Sequence, residues 1–115
     1  MNYYDSVVGK IREFRDARDW KQFHHPKDMA AGLAIEAAEL MELFLWKNEQ
    51  EQRETVEMKR EQIEDELADI GMFLLELADN LNVDLLTAIE AKMEKNAKKY
   101  PVEKSKGRSA KYTEL

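Results

Sequence analysis

Met29, Leu33, Glu36, Leu40 and Leu43 fall three or four residues apart, so they share one stripe of a helix, and the middle member of that stripe is an acid. The segment around it, MAAGLAIEAAELMELFLW (residues 29–46), carries only three charges, Glu36, Glu39 and Glu42, and no Lys, Arg or His. Alanines 30, 31, 34, 37 and 38 cover its other faces. A helix apolar nearly all round is buried on several sides. One chain of 115 residues has few elements with which to cover it, so the pattern predicts an oligomer interface here. It also predicts a counter-charge supplied from elsewhere, because a buried carboxylate without one is far too costly.

A second acidic pair, Glu66 and Asp69, lies three apart in EDELADIGMFLLEL. Residues three apart are neighbours on one helix face. Glu36 with Glu39, and Glu66 with Asp69, can therefore each aim two carboxylates at one place. The thirty residues between the pairs fit a helix, a turn and an antiparallel return. Hard oxygen donors in this number suit one to three divalent cations, Mg2+ or Mn2+. Lys47 and Arg53 are the competing counter-charges, although they sit beyond the end of the cluster. Glu61, Glu64 and Asp65 read as ordinary surface acids.

Around these pairs the periodicity predicts an all-α four-helix bundle over residues 1–100, followed by a basic tail or arm over 101–115. The first helix is expected from about Tyr4 to Arg18, on Val7, Val8, Ile11 and Phe14. An aromatic connector leads to Pro26, which suits the start of a second helix, Lys27 to Trp46. Asn48 with Glu51 reads as a capping box opening a third helix that continues to about Leu81. Asp84 reads as the N-cap of a fourth, Leu85 to about Lys99, stopped by Pro101.

Cations held by carboxylates of this kind can clamp phosphate oxygens and make a bound water acidic enough to attack near neutral pH. A remaining carboxylate serves as general base. Positioning and charge neutralisation of this sort supply most of phosphoryl-transfer catalysis. A di-iron site needs two Glu-x-x-His motifs, and the only histidines, His24 and His25, are in the connector. The sequence has no P-loop or G-x-G-x-x-G, which argues against kinase and dinucleotide chemistry. The absence of cysteine excludes disulfides and thiolate zinc sites, and it fits a reducing cytoplasm. No signal peptide or membrane-spanning run is read from the chain. A net charge of −6 argues against a nucleic-acid polymer as partner. Residues 92–111 nevertheless carry eight Lys and Arg against two Glu. They are either a solvated basic helix end or contacts to phosphate.

Trp20, Phe23, His24, His25 and Trp46 gather at the ends of the second helix. They are either core or a platform for a nucleobase. Together with EDELADI and KMEKNAKKYPVEKSKGRSAKYTEL, the segment RDWKQFHHPKDMAAGLAIEAAELMELFLWK resembles the MazG-like all-α nucleoside triphosphate pyrophosphohydrolases, in the branch of the dCTP pyrophosphatase type. The resemblance covers almost the whole chain. It implies cleavage of a (deoxy)nucleoside triphosphate between the α and β phosphates, giving the monophosphate and pyrophosphate, in a cytoplasmic enzyme that sanitises the nucleotide pool. It implies that Glu36, Glu39, Glu66 and Asp69 bind Mg2+, with Glu39 the candidate base. Trp20, His24 and Trp46 match positions lining the nucleotide pocket. Lys92, Lys95, Asn96 and Lys99 fall where substrate contacts are expected, and a homodimer or homotetramer is implied. Two departures bear on base preference: Ile11 stands where related enzymes carry a histidine, and Phe73 where they carry a tyrosine. A phenyl ring can stack on a sugar but cannot donate a hydrogen bond. The competing readings are a non-catalytic helical oligomerisation module and a related hydrolase acting on dUTP or phosphoribosyl-ATP.

Overall fold

The computed structural model describes residues 2–115, and every regular element among them is helical. The α-helices are α1 (Tyr3–Asp16), α2 (Pro26–Glu42), α3 (Glu49–Met58), α4 (Arg60–Asn80), α5 (Leu85–Lys99) and the one-turn α6 (Val102–Ser105). Short 3-10 turns lie at Lys21–Phe23 and Tyr112–Glu114. The chain is all-α as its periodicity requires, with six helices among the described residues rather than four.

Helix starts follow local chemistry. Asn2 Oδ1 accepts from the Asp5 amide at 2.8 Å to cap α1. Pro26 occupies the first turn of α2, where its missing N–H costs nothing. The capping box at α3 is complete: the Glu51 amide donates to Asn48 Oδ1 at 2.9 Å, and the Asn48 amide to Glu51 Oε1 at 3.0 Å. Asp84 accepts from the Thr87 amide to open α5.

Two expected boundaries move. α2 ends at Glu42 instead of Trp46: the following amides of Leu43, Phe44 and Leu45 tighten to i→i−3 bonds, and Trp46 then takes a left-handed φ of 63°. The long third helix breaks at Lys59, with φ −113° and ψ 31°, into α3 and α4. α3 buries only Thr55, so no apolar face holds it in line with α4. The Thr55 hydroxyl also donates to the Glu51 carbonyl at 2.8 Å, a back-bond that bends helices.

Residues up to Asn82 form one compact unit and Val83–Leu115 a second. In the first, α4 is the central helix. It packs most extensively on α2 and also touches α1 and α3. Gly32 meets Phe73 while Glu36 lies beside Glu66, so α2 and α4 run antiparallel. Gly32 permits this approach, since a Cβ there would stand 2.8 Å from Phe73 Cζ. The fully apolar buried set is small: Val8, Met29 and Ala78 among the described residues. Ile35, Met41 and Leu67 on α2 and α4 stay more than half exposed.

The second unit holds α5 and the segment expected as a tail. Gly107, at φ 77°, turns the chain after α6. Tyr112 returns to meet Tyr100 edge to face at 6.0 Å, and Lys99 Nζ lies 4.7 Å from the Tyr112 ring centre. No helix among the described residues is long and apolar enough to cross a membrane.

Candidate functional site

The antiparallel pairing of α2 and α4 brings the acids together. Glu36, Glu39 and Glu66 each offer a carboxylate oxygen, and these oxygens lie within 4.8 Å of one another. Asp69, one turn along α4 from Glu66, does not join that group. Its side chain is one methylene shorter. It is still close enough for its charge to act on both Glu36 and Glu66.

Neither competing counter-charge reaches the cluster. Lys47 Nζ donates to Thr55 Oγ1 at 2.9 Å, and Arg53 pairs with Glu49 at 2.9 Å. Among the described residues no Lys, Arg or His forms an ion pair with any of the four acids. Glu36 Oε2 and Glu66 Oε2 are buried and have no hydrogen-bond partner among the described residues. Burial, then the nearby carboxylates of Glu39 and Glu66, pushes the Glu36 carboxyl up to about 7. Glu66 is raised as well, burial again being the main cause. Orphaned buried oxygens, mutual repulsion and an all-oxygen donor set fit a hard divalent cation.

Next to the acids lies a cavity of about 290 Å³ between α1, the connector, α2 and α4. Ile11, Phe14, Met29 and Met72 make its apolar walls, with Trp20, His24 and Phe73 also lining it. Asp69 lines it too, and so joins the cavity to the acidic cluster. Three sequence-predicted residues, Trp20, His24 and Phe73, therefore meet in one place, as does Ile11. Trp46 does not: it is 91% exposed after the end of α2, beside Met41, Leu45 and Gln52. Lys92, Lys95, Asn96 and Lys99 lie exposed on α5 of the second unit, at helical spacing along one face.

Sequence reasoning missed the polar network in the cavity wall. Glu76 and Arg15 are both about 5% exposed, and Arg15 Nη1 stands 3.8 Å from Glu76 Oε2. His24 Nδ1 lies 2.9 and 2.7 Å from the two Glu76 oxygens, and Asn80 Nδ2 donates to Oε2 at 3.0 Å. Arg15 also donates to Asn80 Oδ1 at 3.0 Å and to Asp16 at 2.8 Å. One signal was available: Glu76 is the only charge between Asp69 and Asp79, and it falls on the α4 face that carries Glu66, Asp69 and Phe73.

The chain is similar to several known proteins. A family model described as MazG-like matches residues 32–115. dCTP pyrophosphatase 1 of Bos taurus is 42% identical over 105 residues, and that of Homo sapiens 40% identical over the same length. Each match takes in 90% of this chain, which spans 62% of the length of those relatives. The crystal structure of a pyrophosphatase from Archaeoglobus fulgidus DSM 4304 superposes with a TM-score of 0.85 at 38% identity, covering 88% of this chain and 94% of that one. A helical pair carrying converging acids, a family match over most of the chain and a solved relative of the same fold lead to one assignment: this chain belongs to the MazG-like family.

Proposed function

We propose that the chain is a Mg2+-dependent nucleoside triphosphate pyrophosphohydrolase, acting on a dCTP-like deoxynucleotide in keeping with its dCTP pyrophosphatase relatives. The observation that carries the chemistry is the pair of buried carboxylate oxygens, Glu36 Oε2 and Glu66 Oε2, with no partner among the described residues. Glu36, Glu39 and Glu66 would hold the ion, and Asp69 would complete the set from the cavity side. Bound there, Mg2+ supplies charge neutralisation for the phosphates and acidifies water.

The protein's own groups have three tasks. The acids of α2 and α4 would hold the cation through which the triphosphate is positioned. Glu39, the most exposed of the three converging acids, accepts the proton of the attacking water. That water's oxygen bonds to the α-phosphorus as the α–β anhydride bond breaks, and pyrophosphate leaves. The apolar cavity, with Trp20 and Phe73 in its lining, receives the base and sugar. The exposed apolar side chains Ile35, Met41 and Leu67 support a homo-oligomer, dimer or tetramer, in which a second copy covers them. Lys92, Lys95, Asn96 and Lys99 are proposed phosphate and sugar contacts in that assembly.

A panel of nucleoside triphosphates, assayed with Mg2+ for monophosphate and pyrophosphate, tests the reading. Equimolar monophosphate and pyrophosphate from a deoxynucleotide, abolished by EDTA, is the expected result. Release of inorganic phosphate instead, or no turnover of any nucleotide, would overturn it.

A further inference from the structure

The cavity is apolar except for the acid that leads to the metal cluster and the network of Arg15, His24 and Glu76. On α4 these two polar regions are separated by the seven residues from Asp69 to Glu76, a rise of about 10.5 Å. A nucleotide with its α-phosphate at the acids and its base in the cavity spans a comparable distance from phosphorus to the far edge of the base. Glu76 therefore stands where that edge would arrive.

The two Glu76 oxygens differ in their surroundings. Oε2 is approached by His24 Nδ1 at 2.7 Å, Asn80 Nδ2 at 3.0 Å and Arg15 Nη1 at 3.8 Å. Among the described residues Oε1 is approached by His24 Nδ1 alone, at 2.9 Å. A carboxylate oxygen has two acceptor sites, so Oε1 keeps one for a ligand. The Arg15 guanidinium and the Asn80 amide face Glu76 in an otherwise apolar wall, and a carboxylate there offers a ligand acceptors and nothing else.

We propose that Glu76 determines base specificity: its Oε1 accepts a hydrogen bond from an exocyclic amino group, so the cavity takes cytosine in preference to uracil or thymine. Cytosine presents an N4 amino donor at the position where thymine and uracil present the O4 acceptor. A carbonyl oxygen brought to Oε1 would face another lone pair and leave Glu76 without its bond. A site built around a hydrogen bond rejects the analogue that lacks it far more strongly than an apolar pocket rejects a change of shape. The inference rests on the nucleotide reading above.

Glu76→Gln keeps the shape of the side chain and adds an amide donor. The specificity constants for dCTP and dUTP are measured with Mg2+ for the full chain and for this variant. Equilibrium binding of dCMP and dUMP to both proteins gives the same preference without turnover. The wild type is expected to favour cytosine by at least about tenfold, and Glu76→Gln to reduce that ratio by at least about tenfold. A buried residue with only a structural role would lower both substrates together and leave the ratio unchanged. An unchanged ratio in turnover and in binding, or a wild type indifferent to the two bases, overturns the proposal and leaves the hydrolase reading intact. Selective dCMP binding that the variant loses, in a protein that cleaves neither triphosphate, would uphold the role of Glu76 and remove the hydrolase reading.

Discussion

Gly32→Ala is a sharp test of how α2 and α4 fit together. A Cβ at position 32 would stand 2.8 Å from Cζ and 3.0 Å from Cδ1 of Phe73, and closer still to Cε1. Taken alone, Gly→Ala in a helix interior gains about 1 kcal/mol. Overpacking costs about 1–3 kcal/mol, so the net change in the wild-type background is a loss of about 0–2 kcal/mol. Removing the ring reverses the sign: in a Phe73→Ala background the clash is gone, and Gly32→Ala should stabilise by about 1 kcal/mol. The coupling between the two positions is then about 1–3 kcal/mol, well above the scatter of additive sites. Urea denaturation of the four proteins at one fixed protomer concentration measures it. If Gly32→Ala stabilised both backgrounds equally, Phe73 would not lie on the α2 backbone, and the account of the cavity wall would fail with it.

Two further outcomes follow from the site and its flank. In metal-free buffer Glu36 contributes stability that is fully present below its ordinary 4.5 and lost as pH rises through about 7. The urea midpoint should fall across that window and the stabilisation by added Mg2+ should grow, while Glu36→Gln flattens both trends. Trp46, left-handed at φ 63° and 91% exposed, carries backbone strain of about 1–2 kcal/mol that a glycine would relieve. Trp46→Gly should hold or raise the melting temperature, and a lower melting temperature would contradict the strain argument.

What the sequence revealed is what depends on local chemistry. The capping box at Asn48 and Glu51 and the cap at Asp84 join groups three residues apart, so spacing alone identifies them. Glu36 was legible because an acid in the middle of an apolar stripe has no inexpensive local explanation. The break at Lys59 was not legible, since no Gly or Pro marks it and it follows from the scant burial of α3. Arg15 and Glu76 were missed for a different reason. They are 61 positions apart in the chain, and each alone looks like one more charge on an amphipathic helix. Their burial appears only when α1 packs on α4. Asp69 shows another limit: its spacing from Glu66 puts it on the same helix face, but spacing does not give how close its shorter side chain comes to the other three acids.

Glu36, Glu39 and Glu66 converge, on the reading proposed above, to hold a divalent cation. Mn2+ binding followed by electron paramagnetic resonance, on the wild type and on Glu36→Gln with its helical content checked by circular dichroism, tests this most directly. Saturable binding is expected, displaced by Mg2+ and weakened in the variant by at least about tenfold, as loss of an anionic ligand requires. Equal Mn2+ affinity in the two folded proteins would contradict it.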